Sequence, residues 1–160
     1  MSFDFKPAGS DKAGLYRDLL SAIDAVTAGE PDPVANMANA AALLFDWLPK
    51  VNWAGFYRLL EDELVLGPFQ GKAACIRIEL GKGVCGTAAA TRETQLVADV
   101  HAFPGHIACD AASASEIVVP LVADGRLIGV LDIDSPIVAR FDEEDRTGCE
   151  AIARLLESRL

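Results

Sequence analysis

The cysteines are the residues best suited to covalent chemistry. Three of the four, Cys75, Cys85 and Cys109, fall between residues 75 and 109, at predicted strand edges, turns or loops. The thiolate is the reactive form of cysteine, and a helix N-terminus favours it. A pair within disulfide reach would support thiol–disulfide exchange, but the pattern alone does not say which two would pair. Cys149, in a predicted terminal helix, is expected to be a small buried apolar residue.

A metal centre is the rival interpretation of the same region. Cys75, Cys85, Cys109, His101 and His106 all carry side chains that bind zinc. Structural zinc sites usually contain closely spaced pairs such as C-x-x-C or H-x-x-x-H, and the chain has neither. The spacing therefore disfavours zinc. The glycines match no phosphate-binding loop pattern either.

Three carboxylates are the second group of candidates. Asp132 and Asp134 are two apart on a predicted strand and so share one face, while Glu116 begins the neighbouring strand. Together they suit an ammonium group or another cation, and a desolvated Glu116 would keep its proton and act as a general acid. A solvated strand end is the alternative. Ile128 and Val130 are predicted to share the carboxylate face, and Leu127, Leu131 and Ile133 to pack against helices on the other.

Two aromatic residues, Trp53 and Tyr57, alternate with Gly55 on one face of a predicted strand. Such pairs are often simply part of a core. The functional alternative is an apolar cage for a methyl group or a cation.

These residues need a scaffold, and the hydrophobic pattern predicts an α+β domain. Asp32 and Pro33 mark a helix start, Asp124-Gly125 is typical of a type I′ hairpin, and Asp142 caps a final helix. Val34, Met37, Ala38, Ala41 and Leu44 are the predicted buried stripe of the second helix. Helices are predicted over 11–28, 33–49 and 87–91 and from 142 to the end, strands over 51–60, 63–69, 75–79, 95–98, 116–123 and 126–134, and one long loop over 99–115.

Composition limits the class of protein. The 160 residues are 51% hydrophobic and 24% charged, as expected for one folded domain over 1–160. A net charge of −10 argues against nucleic-acid partners and anionic membranes. The chain has no apolar run long enough to cross a membrane, and its N-terminus does not resemble a signal peptide. A cytoplasmic location is expected, where standing disulfides are rare and redox roles for cysteine gain weight.

Seven segments together resemble the free methionine-(R)-sulfoxide reductase family. The resemblance spans roughly residues 15 to 158, and the two segments around Cys85 and Cys109 are its most specific part. The segments are WAGFY (53–57), CIRI (75–78), GKGVCGTA (81–88), DVH (99–101), GHIACDAAS (105–113), SEIVVPL (115–121) and IGVLDIDS (128–135).

The resemblance implies a GAF fold, in which an antiparallel sheet of about six strands carries helices on one face and the ligand pocket on the other. It implies a homodimer that reduces free methionine sulfoxide, uses thioredoxin as electron donor and needs no cofactor or metal. It makes Cys109 the catalytic cysteine, Cys75 the resolving cysteine and Cys85 an alternative partner. Glu116, Asp132 and Asp134 would hold the substrate and manage protons, and Trp53 and Tyr57 would enclose its methyl end.

Two rival functions remain at this point. One is a GAF ligand sensor without catalysis, and the other is a redox-sensing or zinc-binding module. The sequence leaves open which of Glu116, Asp132 and Asp134 protonates the sulfoxide oxygen.

Overall fold

The computed structural model describes residues 7–8, 11–107 and 109–160. Residues 1–6, whose composition argues against a signal peptide, and Ala108, in the segment around Cys109, lie outside them. The helices are α1 (Lys12–Thr27), α2 (Pro33–Trp47), α3 (Gly83–Thr91) and α4 (Glu143–Glu157). The strands are β1 (Trp53–Leu60), β2 (Glu63–Gly71), β3 (Arg77–Glu79), β4 (Gln95–Val97), β5 (Ser115–Ala123) and β6 (Arg126–Ser135).

The described strands form one sheet in the order β3-β2-β1-β6-β5-β4, and every neighbouring pair is antiparallel. This confirms the predicted α+β fold. The hairpin at Asp124 and Gly125 is also confirmed, since both residues have the positive φ that a type I′ turn requires. None of the described helices combines the length and apolar character needed to span a bilayer.

Aspartates set the start of three helices; the caps at Asp32 and Asp142 were predicted, and the one at Asp11 was not. The Asp11 side chain accepts a hydrogen bond from the Gly14 amide, and Asp32 accepts from the first turn of α2. Asp142 and Asp145 form a reciprocal capping box at the start of α4. Each cap satisfies backbone N–H groups that the helix itself leaves without a partner.

The two faces of the sheet bury different clusters of side chains. Alternate residues of the strands, such as Phe56 and Leu131, pack against α1, α2 and α4 in the main core. Residues of the opposite parity, such as Tyr57 and Val130, form a second cluster with α3. The second face is therefore the one left for a ligand pocket.

The predicted stripe of α2 was partly wrong. Met37, Ala41 and Leu44 are buried, but Val34 and Ala38 are exposed and Ala40 is buried instead. The buried face is rotated by a fraction of a turn because α2 packs against both α1 and the sheet.

The predicted faces of Leu127 and Ile128 were also wrong. The pairing of β5 with β6 shifts register between Leu121 and Val122, so that Leu121 pairs with Gly129 but Val122 pairs with Leu127. This bulge places one extra residue in β6 and reverses the alternation. Leu127 packs in the pocket-side cluster and Ile128 against the main core. Residues beyond the bulge keep the predicted faces.

The glycine-rich segment is the first turn of a helix rather than a separate turn. Helix α3 begins at Gly83, and a Cβ at Gly86 would lie 2.4 Å from the Glu79 carbonyl oxygen, so only glycine fits there. Cys85 is thus within the first turn of α3. Strand β3 is shorter than predicted and begins after Cys75.

Candidate active site

A cavity of about 530 Å³, a volume that includes its opening to solvent, lies on the face of the sheet opposite α1, α2 and α4. It brings together predicted site residues from four elements and a loop: Trp53 and Tyr57 of β1, Glu116 of β5, Asp132 and Asp134 of β6, Cys85 of α3, and Cys109. Adjacent antiparallel strands present these side chains side by side, because β1 and β5 flank β6. Cys75 does not line the cavity.

Cys75 and Cys109 are joined by a disulfide, with their Cα atoms 5.4 Å apart. Cys109 lies in the long loop after β4, and Cys75 lies just before β3. The Tyr57 hydroxyl donates a hydrogen bond of 3.0 Å to the Cys75 carbonyl oxygen. A pocket-wall side chain therefore holds the backbone beside one of the two bonded sulfurs.

Cys85 is a free, buried thiol whose Sγ lies 3.8 Å from Glu116 Oε1. Burial, and then the negative charges of Asp132 and Glu116, raise its pKa well above the usual value. The expectation that a helix N-terminus would favour its thiolate is wrong here, because burial and carboxylates outweigh the helix. Cys85 is held as a neutral thiol.

The three carboxyl groups form the acidic end of the cavity. Glu116 and Asp132 are only 7% and 5% exposed. Burial raises the pKa of Asp132 to about 6, although hydrogen bonds from Glu116 and Cys85 act to lower it. Burial, and then the charge of Asp132, raise the pKa values of Glu116 and Asp134 well above normal. Burial thus favours the protonated forms of Glu116 and Asp134, while Asp132, with its pKa of about 6, is the member of the group that ionises near neutral pH.

One oxygen of this group, Asp132 Oδ1, is buried and has no hydrogen-bond partner. An unpaired buried carboxylate oxygen is costly, by about 1–3 kcal/mol or more for a charged group. Such an oxygen points to a ligand that supplies a donor or a positive charge.

Aromatic rings form the wall of the cavity. The ring centroids of Trp53 and Tyr57 are 6.0 Å apart in a stacked arrangement, and Phe69 stacks on Trp53 at 5.2 Å. Trp53 Nε1 donates to the Lys72 carbonyl oxygen at 3.1 Å. Gly55 permits this stack, since a Cβ there would lie 2.3 Å from the Cβ of Phe69. These contacts fix the position of the Trp53 side chain, which lines the cavity.

Sequence reasoning missed the contribution of the N-terminus of α3. Lys82, Gly83 and Val84 line the cavity, and the Lys82 cap makes no side-chain hydrogen bond to the helix. The first amides of a helix attract anions. The glycine-rich composition of this segment was the available signal, but it did not reveal that a helix begins there.

The loop adds Asp110 and Ser113, which the sequence did not single out. Both line the cavity and act on Asp134: Asp110 raises its pKa, and a hydrogen bond from Ser113 works in the opposite direction. His106 also lines the cavity. Its pKa is lowered by burial and then by the nearby His101, which favours a neutral imidazole.

The metal hypothesis takes a different form in the structure. Cys75 and Cys109 are bonded to each other and offer no thiolate ligand in this state. Among the described residues, Cys85, Glu116 and Asp132 do form a group whose ligand atoms all lie within 4.8 Å of one another.

Comparison with known proteins places this arrangement in a family. The family model for a GAF domain matches residues 35–159. The free methionine-R-sulfoxide reductase of Escherichia coli is 54% identical over 92% of this chain and 89% of its own length. That of Saccharomyces cerevisiae is 45% identical over 91% of this chain and 86% of its own length.

A solved structure gives the same result in three dimensions. The free methionine-R-sulfoxide reductase of Neisseria meningitidis, in complex with its substrate, is 51% identical and superposes with a TM-score of 0.95, covering 99% of this chain and 95% of that one. Fold and sequence agree over nearly the whole chain, so this protein belongs to the GAF-domain family and, within it, to the free methionine-R-sulfoxide reductases.

Proposed function

We propose that this chain is an oxidoreductase that reduces free L-methionine (R)-S-oxide to L-methionine. The observation that carries the proposal is a disulfide, Cys75–Cys109, with one sulfur-bearing residue on the wall of a cavity that has an acidic end and an aromatic wall. Family membership supports the same reaction.

The cavity matches the three ends of the substrate. The ionised Asp132, with its unpartnered oxygen, suits the ammonium group. The first amides of α3, at Gly83 and Val84, suit the α-carboxylate. Trp53 and Tyr57 suit the methyl group on sulfur. A peptide-bound methionine sulfoxide has no free ammonium group, so it would leave the buried oxygen of Asp132 unpaired and be rejected.

The chemical step needs a nucleophile and an acid. The Cys109 thiolate attacks the sulfoxide sulfur while a carboxyl group protonates the oxygen, which is otherwise a poor leaving group. Glu116 is our choice of acid, because burial raises its pKa and favours its protonated form, whereas Asp132, with a pKa of about 6, ionises more readily. The oxygen passes to Cys109 as a sulfenic acid, and methionine leaves.

Recycling returns two electrons to the enzyme. The Cys75 thiol attacks the Cys109 sulfenic acid, so that a disulfide forms and water is released. A dithiol then reduces the disulfide by exchange. We propose thioredoxin as that dithiol and a homodimeric assembly, on the strength of the family resemblance. We keep the cytoplasmic setting that the sequence pattern predicts. Cys85, buried beside Glu116, is the alternative thiol partner.

An assay that links thioredoxin, thioredoxin reductase and NADPH to the pure R epimer tests the proposal. Wild type oxidises NADPH, and Cys109→Ser abolishes turnover. Cys75→Ser is expected to complete about one turnover and then stall, because its sulfenic acid cannot form the usual disulfide. Cys149→Ser, a change at the buried free thiol on the other face of the sheet, is the matched control and should turn over normally.

Two results would contradict the proposal. If wild type binds the sulfoxide without oxidising NADPH, the chain is a ligand sensor. If Cys75→Ser cycles at the wild-type rate with thioredoxin, Cys75 is not the essential resolving residue.

A further inference from the structure

We propose that Cys85, Glu116 and Asp132 form a site for one zinc ion, or a similar thiophilic divalent cation, at the acidic end of the cavity. The ligand atoms of these three residues all lie within 4.8 Å of one another, and all three residues are buried. They come from α3, β5 and β6 and are distant in sequence. Their spacing along the chain therefore does not predict a metal site.

The distances fit the ion with little movement. Tetrahedral zinc with bonds of about 2.3 Å to sulfur and about 2.1 Å to oxygen separates those two ligand atoms by roughly 3.6 Å. Cys85 Sγ and Glu116 Oε1 are already 3.8 Å apart. The Asp132 oxygen lies within 4.8 Å of both other ligand atoms, so it must close a gap of at most about 1.4 Å to complete the triangle. Three protein ligands leave a fourth position open toward the cavity.

The unpartnered oxygen of Asp132 is the second, independent observation. It is buried without a hydrogen-bond partner, in a side chain only 5% exposed. A divalent cation at Asp132 would supply positive charge to a buried carboxylate that lacks one of its partners. The acidic group therefore suits a cation for reasons of charge as well as of distance.

The mixture of donors selects the class of metal. One thiolate with two carboxylates suits zinc, cobalt(II) or cadmium, whereas magnesium and calcium prefer six or more oxygen ligands. A bound ion would occupy the acidic end of the cavity, and we infer that it blocks any ligand that needs Asp132. The site is thus inhibitory rather than catalytic, and its existence does not depend on the proposed reaction.

The test is binding of zinc to the protein that carries the Cys75–Cys109 disulfide, measured by titration calorimetry with no substrate present. In that form the remaining thiols are Cys85 and Cys149. We expect one equivalent to bind, at least about 100-fold weaker binding in Cys85→Ala and Glu116→Gln, and unchanged binding in Cys149→Ala. Cobalt(II) gives a second readout, because a tetrahedral thiolate site produces a charge-transfer band that Cys85→Ala should remove.

Any result other than these expected ones contradicts the proposed metal site. If zinc does not saturate the wild type, the three residues only share protons and form no metal site. Zinc binding that survives Cys85→Ala would place the ion elsewhere. Circular dichroism of each variant separates loss of the site from loss of the fold. Failure of the proposed reductase reaction would leave the binding result unchanged, so the two can be told apart.

Discussion

Two buried polar clusters lie on opposite faces of the sheet and differ in one respect. The helix-side cluster, on the main-core face, contains Lys12, Tyr16, Arg140, Asp145 and Cys149. The pocket cluster, on the other face, contains Cys85, Glu116, Asp132 and Asp134. Each includes a fully buried thiol and a carboxylate almost without solvent contact. Burial and residue type alone would therefore not show that the two clusters have different roles.

The two clusters differ in how completely the hydrogen-bond partners of their buried carboxylates are filled. Asp145 accepts from Lys12 Nζ at 2.8 Å, from the Tyr16 hydroxyl at 2.8 Å and from Arg140 at 3.2 Å, and the Asp142 amide also donates to it. Asp132 keeps an oxygen with no partner. A buried charge whose bonds are complete stabilises the fold, whereas an incomplete one is available to a ligand at a cost in stability.

The largest expected effect comes from breaking the helix-side cluster. Asp145→Ala leaves Arg140, which is only 9% exposed, without its partner, and we expect the free energy of unfolding to fall by about 3–5 kcal/mol. Urea denaturation measures this. Glu143→Ala, two residues before Asp145 and in an exposed pair with Arg146, is the control and should cost about 0.5 kcal/mol or less. Equal losses in both variants would remove the distinction between the clusters.

The same kind of change in the pocket cluster should have the reverse result. Asp132→Asn removes a charge that burial disfavours, so stability at pH 7 should hold or rise. The KM for methionine sulfoxide should rise about 10- to 100-fold, as expected when a charged hydrogen bond is lost. Asp124→Asn, in the hairpin turn, makes the same charge change outside the cavity. A destabilised Asp132→Asn with normal KM would show that the cluster is structural.

The two clusters are also expected to differ in how their contribution to stability depends on pH. The pKa of Asp132 is raised to about 6 in the folded protein from about 3.9 unfolded. Its stabilising contribution is therefore complete below about pH 4 and is lost as pH rises through 6, a change on the order of 3 kcal/mol. Asp142, beside the helix-side cluster, has its pKa lowered to about 2 by hydrogen bonding to Lys12, so it stays ionised across this range.

Unfolding free energies of wild type and Asp132→Asn between pH 4 and 8 test this expectation. The difference between the two proteins reports the titration of Asp132 together with its effect on the pKa values of Glu116 and Asp134. A difference that does not vary with pH would mean that Asp132 titrates normally.

The smallest effects come from a matched pair of tyrosines. Tyr16→Phe removes the hydroxyl bond to Asp145 and should lower stability by about 1–2 kcal/mol with kcat unchanged. Tyr57→Phe removes the bond to the Cys75 carbonyl, which is partly solvated, and should cost about 0.5 kcal/mol or less. Disulfide formation in Tyr57→Phe should slow by about 2- to 10-fold, measured by thiol loss after one turnover. If the two variants lose the same stability and form the disulfide at the same rate, the two hydroxyl groups do not differ in role as we propose.

Much of the scaffold could be predicted because local chemistry determines it. Asp32 with Pro33, Asp124 with Gly125, and Asp142 each define an element boundary through backbone geometry or capping, and the structure has those boundaries. The carboxylate face of β6 followed from the two-residue period, which holds beyond the bulge.

Other features depend on tertiary contacts and could not be predicted from periodicity. The bulge that exchanges Leu127 and Ile128 arises from pairing with β5, and nothing local to β6 marks it. Helix α3 begins among glycines with poor helix propensity because Gly86 fits against the Glu79 carbonyl. The pairing of Cys75 with Cys109 was implied by family resemblance and not by the spacing of the cysteines.

The position of the disulfide has a consequence for kinetics. Cys109 lines the cavity, whereas Cys75 does not, and the residue after it, Ile76, is 70% exposed. In the proposed cycle, the oxidising equivalent taken up at the cavity passes to a half-buried disulfide next to this exposed residue, where we expect a protein-sized reductant to attack Cys75. Double-displacement behaviour follows: double-reciprocal plots should be parallel, and a bound methionine should not prevent re-reduction of the enzyme.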